Sequence, residues 1–168
     1  LTNYCRSIEV LGEVTPRGMD AISSLGERMS ARIVSALLLD MEIASMPLDA
    51  DRLIVTDSAF QNATPLREET LQKSNGMLIP LLNQGIIPVV TGYIGATHDG
   101  ITTTLGRGGS DYTAAILGNV LDAQEVWIWT DVDGVMTADP SIVHDAQVIQ
   151  ELTYDEVSEM AYFGAKVL

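Results

Sequence analysis

From Met19 the apolar positions Ile22, Leu25, Met29, Ile33, Ala36 and Leu37 advance by three or four, which predicts an amphipathic helix to about Leu39 with its apolar side on a core. Arg52 to Val55 is a short strand candidate, closed by Asp57 and Ser58. Thr64 followed by Pro65 is a helix-start signal, and the helix is expected to reach Asn83 before Gly85 ends it. Ile86 to Val90 is a continuous apolar run, the pattern of a parallel strand covered on both faces. After a loop from Gly92 to Gly109, Ser110 opens a helix to about Leu121, and Val126 to Trp129 reads as the next buried strand. Past Gly134 the chain turns through Asp139 and Pro140, and Val148 to Ile149 is a weak strand. Thr153 starts a last helix, with Glu156 completing a capping box. The alternation predicts an α/β fold, a three-layer α/β/α sandwich around a mostly parallel sheet. Ligands in such sheets sit beyond the carboxyl ends of the strands, here the loops after Val90 and Trp129.

The length of 168 residues suits one domain, and 46% hydrophobic with 19% charged residues is ordinary for a globular α/β protein. No apolar run approaches the ~20 residues of a membrane span, and no secretory leader pattern is present, so a cytoplasmic protein is expected. Cys5 is the sole cysteine, so it cannot form an internal disulfide, and it reads as a small hydrophobe or a bystander thiol. The net charge of −14 argues against nucleic acid or an anionic membrane as partner. Any anionic ligand must then be held by a few concentrated cations, a divalent metal and backbone N–H groups.

The strongest local signal is TTTLGRGGSDYTAA, residues 102–115, where glycines surround Arg107 and the loop feeds into a helix. Glycines let the backbone approach a ligand, the helix start offers N–H groups, and Arg107 can grip a carboxylate or phosphate through two parallel hydrogen bonds. The plain alternative is a flexible turn with a solvated arginine. The pattern is neither a P-loop nor a dinucleotide fingerprint. SLGERMSA, residues 24–31, sets Gly26 inside a helix at a cost of ~1 kcal/mol against Ala, which points to a close approach there. The neighbouring Glu27 is either a functional carboxylate or a surface ion-pair partner. TDVDGVMTADP, residues 130–140, puts two acids and a Gly after a strand, where hydroxyls of a nucleotide are often bound, although Asp133 and Gly134 suit a simple turn. Trp127 and Trp129 at period two fit sheet packing better than base stacking. Lys166 near a helix end is by itself an ordinary dipole partner. His98 and His144 are isolated, so no metal-ligand set is expected.

Together SLGERMSA, FQNATPL, VVTGYIGAT, TTTLGRGGSDYTAA, WTDVDGVMTADP and FGAKVL occur in the order and approximate spacing of aspartokinases, and the chain resembles that family of the amino-acid kinase superfamily essentially end to end. The resemblance implies ATP:L-aspartate phosphotransfer giving 4-phospho-aspartate, the first committed step toward lysine, threonine and methionine, with ATP and Mg²⁺ as the implied nucleotide and metal. It implies that Glu27 meets the amino group of aspartate while Arg107 and the backbone of Gly108, Gly109 and Ser110 hold its carboxylates. Tyr93 takes the place of an aromatic residue lining that pocket. Asp111 would organise the lysines around the phosphates and the magnesium. Thr130 and Asp131 would contact the nucleotide, and Lys166 with Val167 would complete its site, the ammonium acting on the transferring phosphoryl group. A homo-oligomeric full-length protein is implied as well. The alternatives are a relative acting on another small carboxylate, and a non-catalytic nucleotide- or amino-acid-binding module.

The sequence departs from the family pattern at Met136 and Ser141, where a tyrosine and an arginine are usual. The family's lysine and glycine loop resembling KFGGTS has no match here, nor do the ACT regulatory domains. Residues 1–168, opening on Leu1, are therefore expected to be a partial catalytic domain, weakly active or inactive alone.

Overall fold

The computed structural model describes residues 2–130, 134–139 and 141–162. The chain divides into two compact units, Leu1–Val126 and Trp127–Leu168. In the first, α1 (Thr2–Leu11) and α2 (Pro16–Asp40) precede β1 (Ser45–Leu48), a 3₁₀ turn (Ala50–Arg52) and β2 (Val55–Thr56). Then come α3 (Arg67–Asn83), β3 (Ile87–Val90), β4 (Ile94–Thr97), β5 (Thr102–Thr104) and α4 (Gly109–Val120). β1 pairs parallel with β3. β2 pairs parallel with β4, which pairs antiparallel with β5. Helix α2 packs on β1, β3 and β5, whereas α3 and α4 pack on each other and on β2, β3 and β4. This is the α/β arrangement expected, with parallel pairing dominant. The core joins Leu48, Ala50, Leu53, Ile54, Leu78 and Ile94, at the meeting of strands, 3₁₀ turn and α3.

Local chemistry accounts for the helix starts. Thr15 caps α2, its Oγ1 accepting from Gly18 N at 3.1 Å, with Pro16 at the first helical position. The start expected at Thr64–Pro65 is corrected: Pro65 bridges Thr56, Leu66 N donates to Val55 O, and α3 begins at Arg67. Those backbone bonds to β2 hold the segment extended. The strand expected over Arg52–Val55 is likewise displaced, into the 3₁₀ turn and β2, and the loop expected from Gly92 to Gly109 contains the β4–β5 hairpin.

Helix α2 corrects the reading of its faces. Met29, Ile33 and Leu37 are exposed by 61%, 69% and 57%, while the buried positions are Asp20, Ser24, Ala31 and Ser35. Small volume and polar partners select this face. Ser35 Oγ lies 2.9 Å from Ser45 Oγ on β1, Ser45 Oγ donates to Ser35 O, and Asp20 is bonded to β5. At Gly26 the expected close approach is not made by another part of the chain, since a Cβ added there would meet nothing within 4 Å among the described residues.

In the second unit, Trp127 and Trp129 lie in irregular backbone. They are 70% and 86% exposed, with ring centroids 6.2 Å apart, which corrects the expectation of a buried strand. The weak strand at Val148 is a single bridge to Met136, flanked by Thr137 N to Gln147 O and Ile149 N to Val135 O, each 2.8 Å. The capping box holds: Thr153 N donates to Glu156 Oε2 at 2.7 Å, Glu156 N donates to Thr153 Oγ1 at 3.3 Å, and α5 (Tyr154–Tyr162) follows.

Candidate active site

The glycine-rich loop is built by its two neighbours, the hairpin and α4. Leu105 is buried and donates its N–H to Tyr93 O at 2.9 Å, which ends the hairpin. Gly106 (φ +80°) and Gly108 (φ +69°) both take left-handed backbone, so Arg107 is displayed between two turns that a side chain would strain. Gly108 is the N-cap of α4, and the N–H groups of the following turn point out of the helix end with its partial positive charge.

Tyr93 faces this loop from the hairpin. Its backbone is also left-handed, φ +68°, uncommon for a residue with a side chain. Two bonds hold it there. Tyr93 N donates to Thr113 Oγ1 at 3.0 Å, and Thr113 Oγ1 donates in turn to Gly109 O at 2.8 Å, so the conformation is locked to the first turn of α4.

These elements line an open cavity of about 490 Å³. Its lining includes Glu27 from α2, Tyr93 from the hairpin, Arg107 with Gly108 and Gly109 from the loop, and Ser110 with Asp111 from the first turn of α4. All the expected amino-acid-binding residues, and Asp111, therefore share one site. Gly106 and Gln61 line it as well. Gln61 was not singled out from sequence as a site residue. It lies in the loop from Asp57 to Thr64 and is the second residue of the FQNATPL motif, which was the available signal for it.

The electrostatics are those of a mixed-charge pocket in an acidic protein. Arg107 makes no ion pair among the described residues, unlike Arg28, which meets Asp49 at 2.8 Å and Asp51 at 2.6 Å. A guanidinium, helix N–H groups and the Glu27 carboxylate in one cavity can receive a ligand carrying both carboxylate and ammonium groups.

Of the expected nucleotide residues only Thr130 is among the described ones. Thr130 is exposed and belongs to the second unit. Asp131, Lys166 and Val167 lie outside the described residues, and so do Asp133 and the FGAKVL segment. At the two departures, Met136 forms the bridge to Val148, and Ser141 donates its N and Oγ to Asp139 Oδ1 at 2.8 and 2.6 Å, closing a turn. His98 meets Glu69 at the surface, Nδ1 to Oε2 3.0 Å.

Comparison with known proteins bears on this arrangement. The model of the amino acid kinase family matches residues 6–168. Lysine-sensitive aspartokinase 3 of Escherichia coli K12 is 40% identical over 167 residues, covering 96% of this chain and 37% of that protein. The chloroplastic aspartokinase 2 of Arabidopsis thaliana is 41% identical over 170 residues, covering 100% of this chain and 31% of that protein. The crystal structure of E. coli aspartokinase III with aspartate and ADP, in its R-state, superposes with a TM-score of 0.88 at 38% identity, over 99% of this chain and 38% of that one. Its T-state form with lysine and aspartate gives 0.81 at 39% identity, with the same coverage. The chain thus spans 31–38% of the length of these relatives. With its own fold in agreement, the chain belongs to the amino acid kinase family.

Proposed function

We propose that the protein to which this chain belongs is an aspartate kinase, transferring the γ-phosphoryl group of ATP to the side-chain carboxylate of L-aspartate. One observation carries the reading: Arg107 and Glu27, brought from the glycine loop and from α2, line the same cavity at the start of α4. Arg107 would take a substrate carboxylate as a bidentate pair while Glu27 accepts from the ammonium group. The N–H groups of Ser110 and Asp111 would hold a second carboxylate at the helix end. Tyr93 lines the side of the pocket. Phosphoryl transfer asks little covalent chemistry of the protein, so this fixed geometry and the neutralisation of charge supply the rate.

The donor set suits a magnesium ion that arrives on the phosphates of ATP. Asp111 contributes one carboxylate at the cavity, and Mg²⁺ in such sites keeps several waters and takes only one or two protein carboxylates. Bound there, the metal would neutralise phosphate charge, with Asp111 orienting its waters. Thr130, Asp131, Lys166 and Val167 remain the proposed nucleotide contacts, with Lys166 and Asp111 the proposed catalytic pair. The same proposal includes a homo-oligomeric full-length protein in the cytoplasm. Among the described residues no helix is long and apolar enough to cross a membrane.

The test is ADP release by the full-length protein offered aspartate, glutamate or N-acetylglutamate with Mg-ATP, repeated for Arg107→Ala and Lys166→Ala. Turnover preferring aspartate, with aspartate KM raised in the first variant and kcat lowered in the second, supports the reading. Preference for another acid, or binding without turnover, overturns it.

A further inference from the structure

Asp20 is 1% exposed and carries a carboxylate into the interior of the first unit. Three donors from two other segments converge on it. Gln61 N donates to Oδ2 at 2.9 Å, Thr104 N donates to the same oxygen at 3.1 Å, and Thr104 Oγ1 donates to Oδ1 at 2.8 Å. Each donor stands next to the cavity. Gln61 lines it directly, and Thr104 is the last residue of β5, three before Arg107. Asp20 itself lies seven residues before Glu27 on α2, two helical turns away on the same face.

The two bonded segments also touch each other. Ala63 N donates to Thr104 O at 2.9 Å. A Cβ added at Gly106 would lie 2.6 Å from Asn62 Oδ1 and 3.3 Å from Gln61 O. The loop is braced at its ends, where Asp57 Oδ1 accepts from Ala59 N at 3.1 Å and Thr64 N at 3.0 Å. Loop and strand end therefore form one wall, and Asp20 fastens that wall to the helix bearing Glu27.

We infer that Asp20 is a positioning residue whose buried carboxylate sets the distance between Glu27 and the Gln61–Arg107 wall, and so the length of acidic amino acid the cavity accepts. The inference rests on the aspartate kinase reading for the identity of the acid. A buried carboxylate that only filled space would be poorly chosen, because any unpaired lone pair there is costly. A clasp joining three segments of the chain needs such an acceptor.

The experiment uses the full-length protein and compares aspartate with glutamate, which differ by one methylene. Pockets separate such pairs by roughly 10–200-fold in kcat/KM. Asp20→Asn removes the charge and can keep an oxygen on the two N–H groups only by turning its NH2 on the Thr104 hydroxyl, which must then accept instead of donate. It is expected to lower the aspartate-to-glutamate ratio about tenfold with KM for Mg-ATP unchanged. Thr104→Val removes one of the three bonds at nearly constant volume and is expected to shift the ratio the same way by about threefold. Gln61→Gly, which keeps the left-handed backbone, removes the wall side chain and is expected to shift it also.

A lowered Tm in Asp20→Asn and Thr104→Val with the ratio intact would overturn the inference, leaving Asp20 as packing only. If wild-type protein turns over neither acid, the kinase reading fails, and the same ratio taken from calorimetric dissociation constants judges Asp20. Binding of neither acid overturns both.

Discussion

Gly92 and Ser110 approach so closely that a Cβ on the first would lie 2.7 Å from Oγ and 3.0 Å from Cα of the second. The contact joins the turn before β4 to the first turn of α4, on the wall where the amino acid would sit. Because backbone as well as side chain is in the way, rotation of Ser110 cannot relieve it. Gly92→Ala should therefore push the start of α4 outward and carry Asp111 with it. Displacements of about 1 Å can cost about 100-fold in rate, so kcat/KM for aspartate in the full-length protein should fall by tenfold or more. Steady-state kinetics decide; an unchanged value would mean that α4 is not a fixed wall.

Thr113 holds the unusual backbone of Tyr93 and should be the residue on which that conformation depends. Thr113→Val keeps the volume but leaves Tyr93 N–H without its acceptor, at a cost of about 1–3 kcal/mol. The expected result is a higher aspartate KM and a lower Tm. Thr113→Ser, which keeps the hydroxyl, should restore both.

How much of this was visible in the sequence depends on how local each cause is. The glycine loop and α4 were legible because Gly106, Gly108 and the helix start act within a few residues of Arg107. Pro16 and the Thr153–Glu156 box are local in the same way. The β4–β5 hairpin was not, since Ile94–Thr97 and Thr102–Thr104 are short and include Gly95 and four threonines. Their β-branched threonines were a usable signal, but pairing across the turn is what makes them strands. Asp20 acts on residues 41 and 84 positions away, so no window around it could disclose its work. The outward stripe of α2 shows the opposite limit: periodicity located the helix, and hydrogen bonding to β1 and β5 chose its buried side.

That choice gives a stability prediction for residues 1–168. Ile33→Gln, on the exposed face, should change unfolding free energy by no more than about 0.5 kcal/mol. Ser35→Leu should cost about 1–3 kcal/mol, because the site is packed against β1 and a larger side chain must displace it. Urea melts of the two variants compare them directly. A larger loss for Ile33→Gln would show that the apolar stripe is the packed face.

Acid should loosen the junction of α2 with the 3₁₀ turn before it affects the apolar core. The Asp49 carboxyl is held below its ordinary range by the hydrogen bond from Arg32, against burial that acts the other way, and by Arg28. Arg28 is raised, the pull of burial being outweighed by Asp51 and Asp49. Asp57 is lowered by the N–H groups of Thr64 and Ala59. For each lowered carboxyl the unfolded chain takes up its proton first as pH falls. The stabilisation is thus complete above the unfolded value near ~3.9 and disappears as pH drops through the lower folded values. Asp49→Asn should cost about 1 kcal/mol at neutral pH, since its two arginine pairs are partly exposed and screened. Urea melts at ~pH 6 and ~pH 3 should show the gap between wild type and variant closing at the acid end. Added salt should narrow it at ~pH 6 as well, and a gap that ignores both would assign the loss to packing rather than charge.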